Sequence, residues 1–374
     1  MIEAAIARWR AAGLIDAETA ERILRHEAAR GEGPGRFRWP VVLAMVAGGL
    51  MLSAGALLFV AAHWEDLAPG GRVGLLVGCL AACHGAAVLA VPRYPVLSAT
   101  LHAVGTAALG ATVFLLGQTY HLESQWPQGF LAWALGAWAG WQLLRQWPQV
   151  LYAAILTPVW VVAEWTVRAE RFGTVIPAAP VAGLLCLALT YLHAPRRGGH
   201  PAEGSRATLA GIGAMALIPL AIGLRLVMGD IGPVMSWEAP RAFRALSWGL
   251  FLGLPVLLAI ALRGRDLLLP GAGFAWVLAG VLLPKDAGAW SFLWGGLGAI
   301  GVAASGVAEG SKLRINLGLG AFALTVVLFY FSSVLDRLGR SASLLAGGVL
   351  FLGIGWGLEH LRRRLLAQVT ERSG

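Results

Sequence analysis

Apolar residues in this chain come in long runs rather than in alternation. The runs cover roughly 41–62, 73–91, 97–119, 130–144, 150–167, 176–193, 208–228, 245–262, 267–283, 289–308, 313–335 and 342–361. A helix needs about 20 apolar residues to cross the ~30 Å hydrocarbon layer, and several of the runs approach that length. The pattern predicts an all-α fold, a polytopic transmembrane bundle of about twelve spans. The 130–144 run is short and reads as tilted, interfacial or extended into its loops. The 267–283 run is also short and ends at Pro284.

The first 38 residues break this pattern. Ile2 to Ala11 reads as a short helix with Ile2, Ile6 and Trp9 on one side, and Gly13 ends it. Asp16 is placed to cap a second helix, with Glu18 near its positive end. Ala20, Ile23, Leu24 and Ala28 then recur at helical spacing. The reading is a small cytoplasmic helical hairpin, too small to hold a core alone. It needs a partner protein, a second copy of itself or the membrane domain to cover residues 1–31. Residues 31–38, with three glycines, Pro34, Arg36 and Arg38, read as a basic linker.

Four segments follow from this division. Residues 1–38 are the hairpin and linker, 39–193 an N-terminal membrane half, 194–207 a cytoplasmic loop, and 208–374 a C-terminal half with a basic tail. No repeat relates the two halves, so an inverted-repeat transporter is not indicated.

Composition sharpens the class. Hydrophobic residues make up 57% of the 374 and charged residues only 13%, against ~25% charged in soluble domains. The mean hydropathy is +0.70. A soluble enzyme, a disordered chain and a secreted disulfide scaffold are excluded. The net charge of +9 would suggest nucleic acid in a soluble protein, but here the positives sit mainly in loops. With twelve spans and the N-terminus inside, 20 of the 29 Lys and Arg fall on the inner side, 8 on the outer side, and Arg225 within a span. That asymmetry predicts both termini in the cytoplasm. No cleavable signal peptide is expected.

Two polar stretches carry the candidate chemistry. One closes the first span, at His63, Trp64, Glu65 and Asp66, with Arg72 shortly after; the other closes the third, at Gln118, Tyr120, His121 and Glu123. The topology puts both on the outer face at one depth, where they would line a pocket for a small molecule or ion. The plainer reading is two interfacial loops, with Arg72 pairing Glu65 or Asp66. Within the spans, Glu164, Arg225, His84, His102 and Asn316 are costly groups. Glu164 has Arg168 one turn away, Glu164 is also a conceivable partner for Arg225, and the two histidines are expected to hydrogen-bond inside the bundle.

Pairs such as Gly74/Gly78, Gly136/Gly140, Gly249/Gly253 and Gly353/Gly357 present small residues on one helix face, as close helix packing requires. Pro158, Pro219 and Pro255 fall inside spans. Trp39, Trp64, Trp126, Trp147, Trp237 and Trp290 fall near span ends, where an aromatic belt forms. Cys79, Cys83 and Cys186 lie in apolar runs and form no disulfide framework. No nucleophile elbow, P-loop, HExxH or paired CxxC occurs. No catalytic residue, metal site or cofactor is assigned, and the expected partners are the bilayer, a small molecule or ion, and a protein bound through residues 1–31.

At His63-Trp64-Glu65, Pro69 and Arg72, and again at Gly117-Gln118-Thr119-Tyr120-His121-Leu122, the chain resembles domain-of-unknown-function family 2157. The resemblance includes the segment Gly13-Leu14-Ile15-Asp16 with Glu18 and Ile23, and covers roughly residues 5–165. His63 stands where that family usually has Asn. More weakly, Asn316-Leu317-Gly318 and the Arg362-Arg363-Arg364 tail are similar to related multispan proteins. The resemblance implies a bacterial inner-membrane protein and no particular activity.

Overall fold

The computed structural model describes residues 6, 9–10, 12–29, 51, 67–91, 93–120, 126–172, 178–194, 203–228, 240–264, 266–284, 288–334 and 340–371. The first apolar run, the basic linker and most of the 194–207 loop lie outside the described residues. The chain divides into two compact units, Met1–Arg72 and Val73–Gly374.

In the first unit, helix α1 spans Ala17–Ala29. Asp16 caps it: its Oδ1 accepts the Thr19 N–H at 2.8 Å. Hydrogen bonds from Thr19 hold the Asp16 carboxyl below its ordinary range. Gly13 adopts φ +69° and donates to the Arg10 carbonyl, while Leu14 donates to that of Trp9. This left-handed turn closes a preceding helical turn, a position that favours glycine. Ile6 and Ala20 are buried, whereas Leu14 is 72% exposed.

Every regular element among the described residues of the second unit is a helix. α2 (Pro69–Ala90) begins before the boundary and runs into it, followed by α3 (Pro95–Thr119), α4 (Trp126–Leu144), α5 (Trp147–Glu170) and α6 (Ala178–Leu192). Then come α7 (Glu203–Met228), α8 (Arg241–Arg263), α9 (Leu268–Leu282), α10 (Ala289–Ala308) and α11 (Lys312–Phe329). A π-helical turn at Tyr330–Val334 precedes α12 (Arg340–Glu371). Among the described residues, seven helices are long and apolar enough to cross a membrane: α2, α3, α5, α7, α8, α10 and α11. Mid-helix leucines such as Leu257 and Leu352 are more than 60% exposed. An apolar exterior of this kind suits lipid and not water.

The short runs resolve in different ways. The 130–144 run extends to a 19-residue helix that starts at Trp126. The 176–193 run becomes α6, 15 residues of which 12 are buried. At 1.5 Å per residue it is roughly 22 Å long. It is apolar on all sides because it is surrounded by protein, with α7, α8 and α9 packed against it. Leu185, Cys186, Leu189 and Leu192 of α6 form the main core with Leu217 and Leu224 of α7, Val277 of α9, and Trp294 and Val302 of α10.

The glycines that permit this packing are mostly not the pairs read from the sequence. A Cβ on Gly213 of α7 would lie 2.4 Å from the Ala188 carbonyl oxygen of α6. One on Gly318 of α11 would lie 2.6 Å from that of Ala299 in α10. Of the four expected pairs, only Gly136/Gly140 meets neighbours, namely Leu109 and Gln149; Gly74, Gly78, Gly249, Gly253, Gly353 and Gly357 face open space among the described residues.

Prolines inside helices leave carbonyls four residues back without their helical N–H. Pro158 orphans Ala154, whose oxygen accepts the Tyr191 hydroxyl from α6 at 3.1 Å. Gly280 lies in the last turn of α9, where carbonyls have no helical partner, and its oxygen accepts Arg225 Nη1 from α7 at 3.1 Å.

Hydrogen bonds between helix ends fix which ends share a face. Arg263, at the end of α8, reaches the His193 carbonyl just past α6 and the Glu309 carboxylate just past α10. Arg362 of α12 donates to Asn316 in α11 at 2.8 Å. The ends of α6, α8 and α10, the start of α11 and Arg362 therefore share one face. Arg225 near the end of α7 donates to Gly280 and Pro284 at the end of α9, which defines the opposite face.

Candidate functional site

Three polar assemblies stand out in the second unit. The first lies between α2, α3 and α5. The Nδ1 atoms of His84 and His102 are 2.8 Å apart, so one ring must donate to the other. The Thr106 hydroxyl lies 3.0 Å from the His102 carbonyl and 2.9 Å from Gln149 Oε1. Gln149 Nε2 donates to the same His102 carbonyl at 3.3 Å, and Trp133 Nε1 to the Thr106 carbonyl at 2.7 Å. His102, Thr106 and Gln149 are all buried. The expected hydrogen bonding of the two histidines is present. Thr106 and Gln149 were not singled out in the sequence, since both types are ordinary near span ends.

The second assembly sits on the arginine-rich face. Glu309 accepts from Arg263 and, at 2.5 Å, from Arg314. Arg263 also donates to Asp266 Oδ2 at 2.7 Å. The side chains of both arginines are nearly buried, at 5% and 6% exposure, against 26% for Glu309. Burial alone would raise the Glu309 carboxyl, but hydrogen bonds from Arg263 and Arg314 outweigh it and hold the group below its ordinary range. His193 Nδ1 lies 2.8 Å from the Leu189 carbonyl. A carbonyl only accepts, so Nδ1 carries the proton; Nε2 lies 3.2 Å from Ser305 Oγ, whose one hydroxyl proton is shared between that nitrogen and the Val302 carbonyl at 2.8 Å. The sequence reading passed over this network, although Glu309 is a lone carboxylate between two cation-bearing helix ends.

The third assembly surrounds a cavity of about 550 Å³ between α7, α9, α10 and α11, on the opposite face. Arg225, Ser291, Thr325, Ser332 and Ser333 supply its polar groups. Ser332 and Ser333 belong to the π-helical turn, where i→i+5 bonding widens the helix. Trp276 and Trp294 form the inner wall. Arg225 is the one ionisable group lining the cavity among the described residues.

The outer pocket expected from the sequence is only partly within view. His63, Trp64, Glu65, Asp66, His121 and Glu123 lie outside the described residues. Arg72 Nε donates to the Leu67 carbonyl at 3.0 Å. Gln118 and Tyr120 end α3 and are exposed, Tyr120 at 61%. Glu164 pairs with Arg168, one turn away, and accepts from Gln128 at 3.0 Å. Among the described residues Arg225 donates to the Gly280 and Pro284 carbonyls, and Glu164 pairs with Arg168 instead. Asn316 is tied to Arg362. Among the described residues no group of three or more His, Cys, Asp and Glu is placed to share a metal.

A comparison with known families matches the N-terminal part of the chain, from the first unit through α4 to the first turn of α5. Residues 7–150 match the family described as predicted membrane protein (DUF2157). The matched DUF2157 segment holds the His84–His102 pair and ends one residue beyond Gln149, so the first assembly lies wholly inside it. The two other assemblies lie C-terminal to it. No curated protein and no solved structure matches this chain. The DUF2157 match and the apolar helices together fit an integral membrane protein.

Proposed function

We propose that this protein binds a small amphiphilic anion from the outer side of the bacterial cytoplasmic membrane, as a transporter or a binding component. The observation that carries the reading is the Arg225 cavity. Among the described residues its wall holds one cation, several hydroxyls and two tryptophans, which suit a ligand with an anionic head and an apolar body. An outward pocket thus remains the reading, relocated from the first and third spans to α7, α9, α10 and α11. The ordinary probe is a twelve-carbon carboxylate compared with the matching alcohol, titrated against purified protein by native mass spectrometry. Arg225→Gln lowers carboxylate affinity by about tenfold, the weight of one charge-assisted hydrogen bond, and leaves the alcohol unchanged. Equal binding of both probes to wild type overturns the reading.

The orientation is part of the proposal. The face shared by Arg263, Arg314 and Arg362 is assigned to the cytoplasm by the positive-inside rule, with both termini on that side. Single cysteines at Lys312 and Trp290, labelled in intact cells with an impermeant maleimide, test it. Labelling at position 312 and protection at position 290 reverse the assignment.

A second reading rests on the exposed Leu14 and Trp9 beside the helical turn of the first unit. Residues 1–31 then act as a docking module for a protein partner or a second copy, and the protein serves as a scaffold. Leu14→Asp in the full chain should abolish a crosslinked species while membrane insertion persists. An unchanged crosslinking pattern rejects this role.

A further inference from the structure

A second cavity, of about 510 Å³, lies between α4, α5, α6, α7 and α8. It sits on the arginine-rich face: Val150 in the first turn of α5, Arg206 in the first turns of α7 and Leu262 at the end of α8 all line it. Its wall is almost entirely apolar, and the polar groups deep within it are already engaged. The Tyr191 hydroxyl is spent on the carbonyl orphaned by Pro158. Thr157 donates to Ala153 and accepts from Trp138 Nε1. A polar solute would therefore find little to bond with in the interior.

Polarity is concentrated instead at one end, where Ser205 and the half-buried Arg206 begin α7. Arg206 is the only cation on the wall among the described residues. Beside the mouth, Arg145 lies over the Trp141 ring at 5.0 Å. Trp141 also lines the cavity, an amphipathic ring suited to the headgroup level, and packs edge to face on the deeper Trp138. An apolar trough closed at headgroup depth by a cation has the outline of a lipid: acyl chain inside, phosphate at the rim.

We propose that this cavity is a specific site for one anionic phospholipid, with an acyl chain along Leu184, Leu187 and Leu258 and its phosphate at Arg206. The site is separate from the Arg225 cavity, and neither proposal depends on the other. A zwitterionic lipid has the same chains but no net charge for Arg206 to select.

The test is native mass spectrometry on the full-length protein in detergent, titrated with dioleoyl-phosphatidylglycerol and, separately, dioleoyl-phosphatidylcholine. One phosphatidylglycerol should be retained about tenfold more tightly than phosphatidylcholine. Arg206→Gln should reduce it to the phosphatidylcholine level, and Arg206→Lys should keep most of the preference. Glycerol phosphate, the head without chains, should not compete at equal concentration. Leu187→Trp should weaken both lipids by filling the trough, and a thermal melt of that variant confirms that it is folded. Equal retention of the two lipids by wild type overturns the proposal. So does a preference that survives Arg206→Gln, or full competition by glycerol phosphate, which would mean a free-phosphate site.

Discussion

The indole rings of Trp276 and Trp294 lie parallel, 4.3 Å apart, and each donates its Nε1–H to the backbone carbonyl of the other, at 2.8 and 2.7 Å. Each ring packs over the glycine four residues beyond its partner: a Cβ on Gly298 would sit 2.3 Å from Trp276, and one on Gly280 would sit 2.5 Å from Trp294. The repeated spacing makes α9 and α10 a near-symmetric pair locked at the centre of the core. Trp276→Phe and Trp294→Phe each remove one indole hydrogen bond and part of the stack. The double-mutant cycle should show a coupling of about 0.5–1.5 kcal/mol, read from thermal melts in detergent. Additive effects would show that the two rings act independently. Gly280→Val should be worse than either, because its side chain overlaps the Trp294 ring and displacing that ring breaks both the stack and the paired indole hydrogen bonds.

Tyr191 and Pro158 make a second testable pair. Tyr191→Phe leaves the Ala154 carbonyl without a partner in a buried, apolar setting. The expected cost is about 0.6–1.7 kcal/mol, the range of interhelical hydrogen bonds within membranes. Pro158→Ala returns an N–H to that carbonyl, so it should recover most of the loss in the Phe background. Failure of the second substitution to rescue the first would show that Tyr191 acts through packing.

Glu309 should make stability depend on acid. Its folded carboxyl titrates below the unfolded value, so its contribution is complete above the unfolded pKa of about 4.3. It is lost as pH falls through the lower folded value. Melts at pH 7, 5 and 3 should show a drop concentrated at the last step, and Glu309→Gln should flatten that drop. At pH 7 the substitution leaves the nearly buried Arg314 without its carboxylate and Arg263 with Asp266 alone. The cost should be about 3 kcal/mol, the lower end for a broken buried pair, because Glu309 itself is partly exposed.

Gly213 and Gly253 separate packing glycines from tolerant ones. Gly213→Val drives a side chain into the backbone of α6 at Ala188 and Leu192 and should abolish the folded state. Gly253→Leu points into open space and should leave the melting temperature within a degree or two. The opposite ranking would contradict the α6–α7 contact.

The sequence by itself determined the class of the protein. Apolar runs near membrane length reflect the need to satisfy backbone polar groups within helices in lipid, the low charged fraction reflects the cost of charge there, and the arginines gathered at alternate run ends reflect the positive-inside bias. The Asp16 cap, the Gly13 turn, the Glu164–Arg168 pair and the histidine hydrogen bond were legible because each depends on local spacing or on the cost of a polar group in lipid. What only the tertiary structure decided depends on neighbours far along the chain. α6 reads as one more span, yet it is the buried hub, since hydropathy does not distinguish a helix surrounded by lipid from one surrounded by protein. Glycine spacing suggested close contacts at pairs that face open space, because a small residue permits approach without causing it. The Arg263–Glu309 pair and both cavities bring together side chains tens of residues apart, and no local pattern encodes such a meeting.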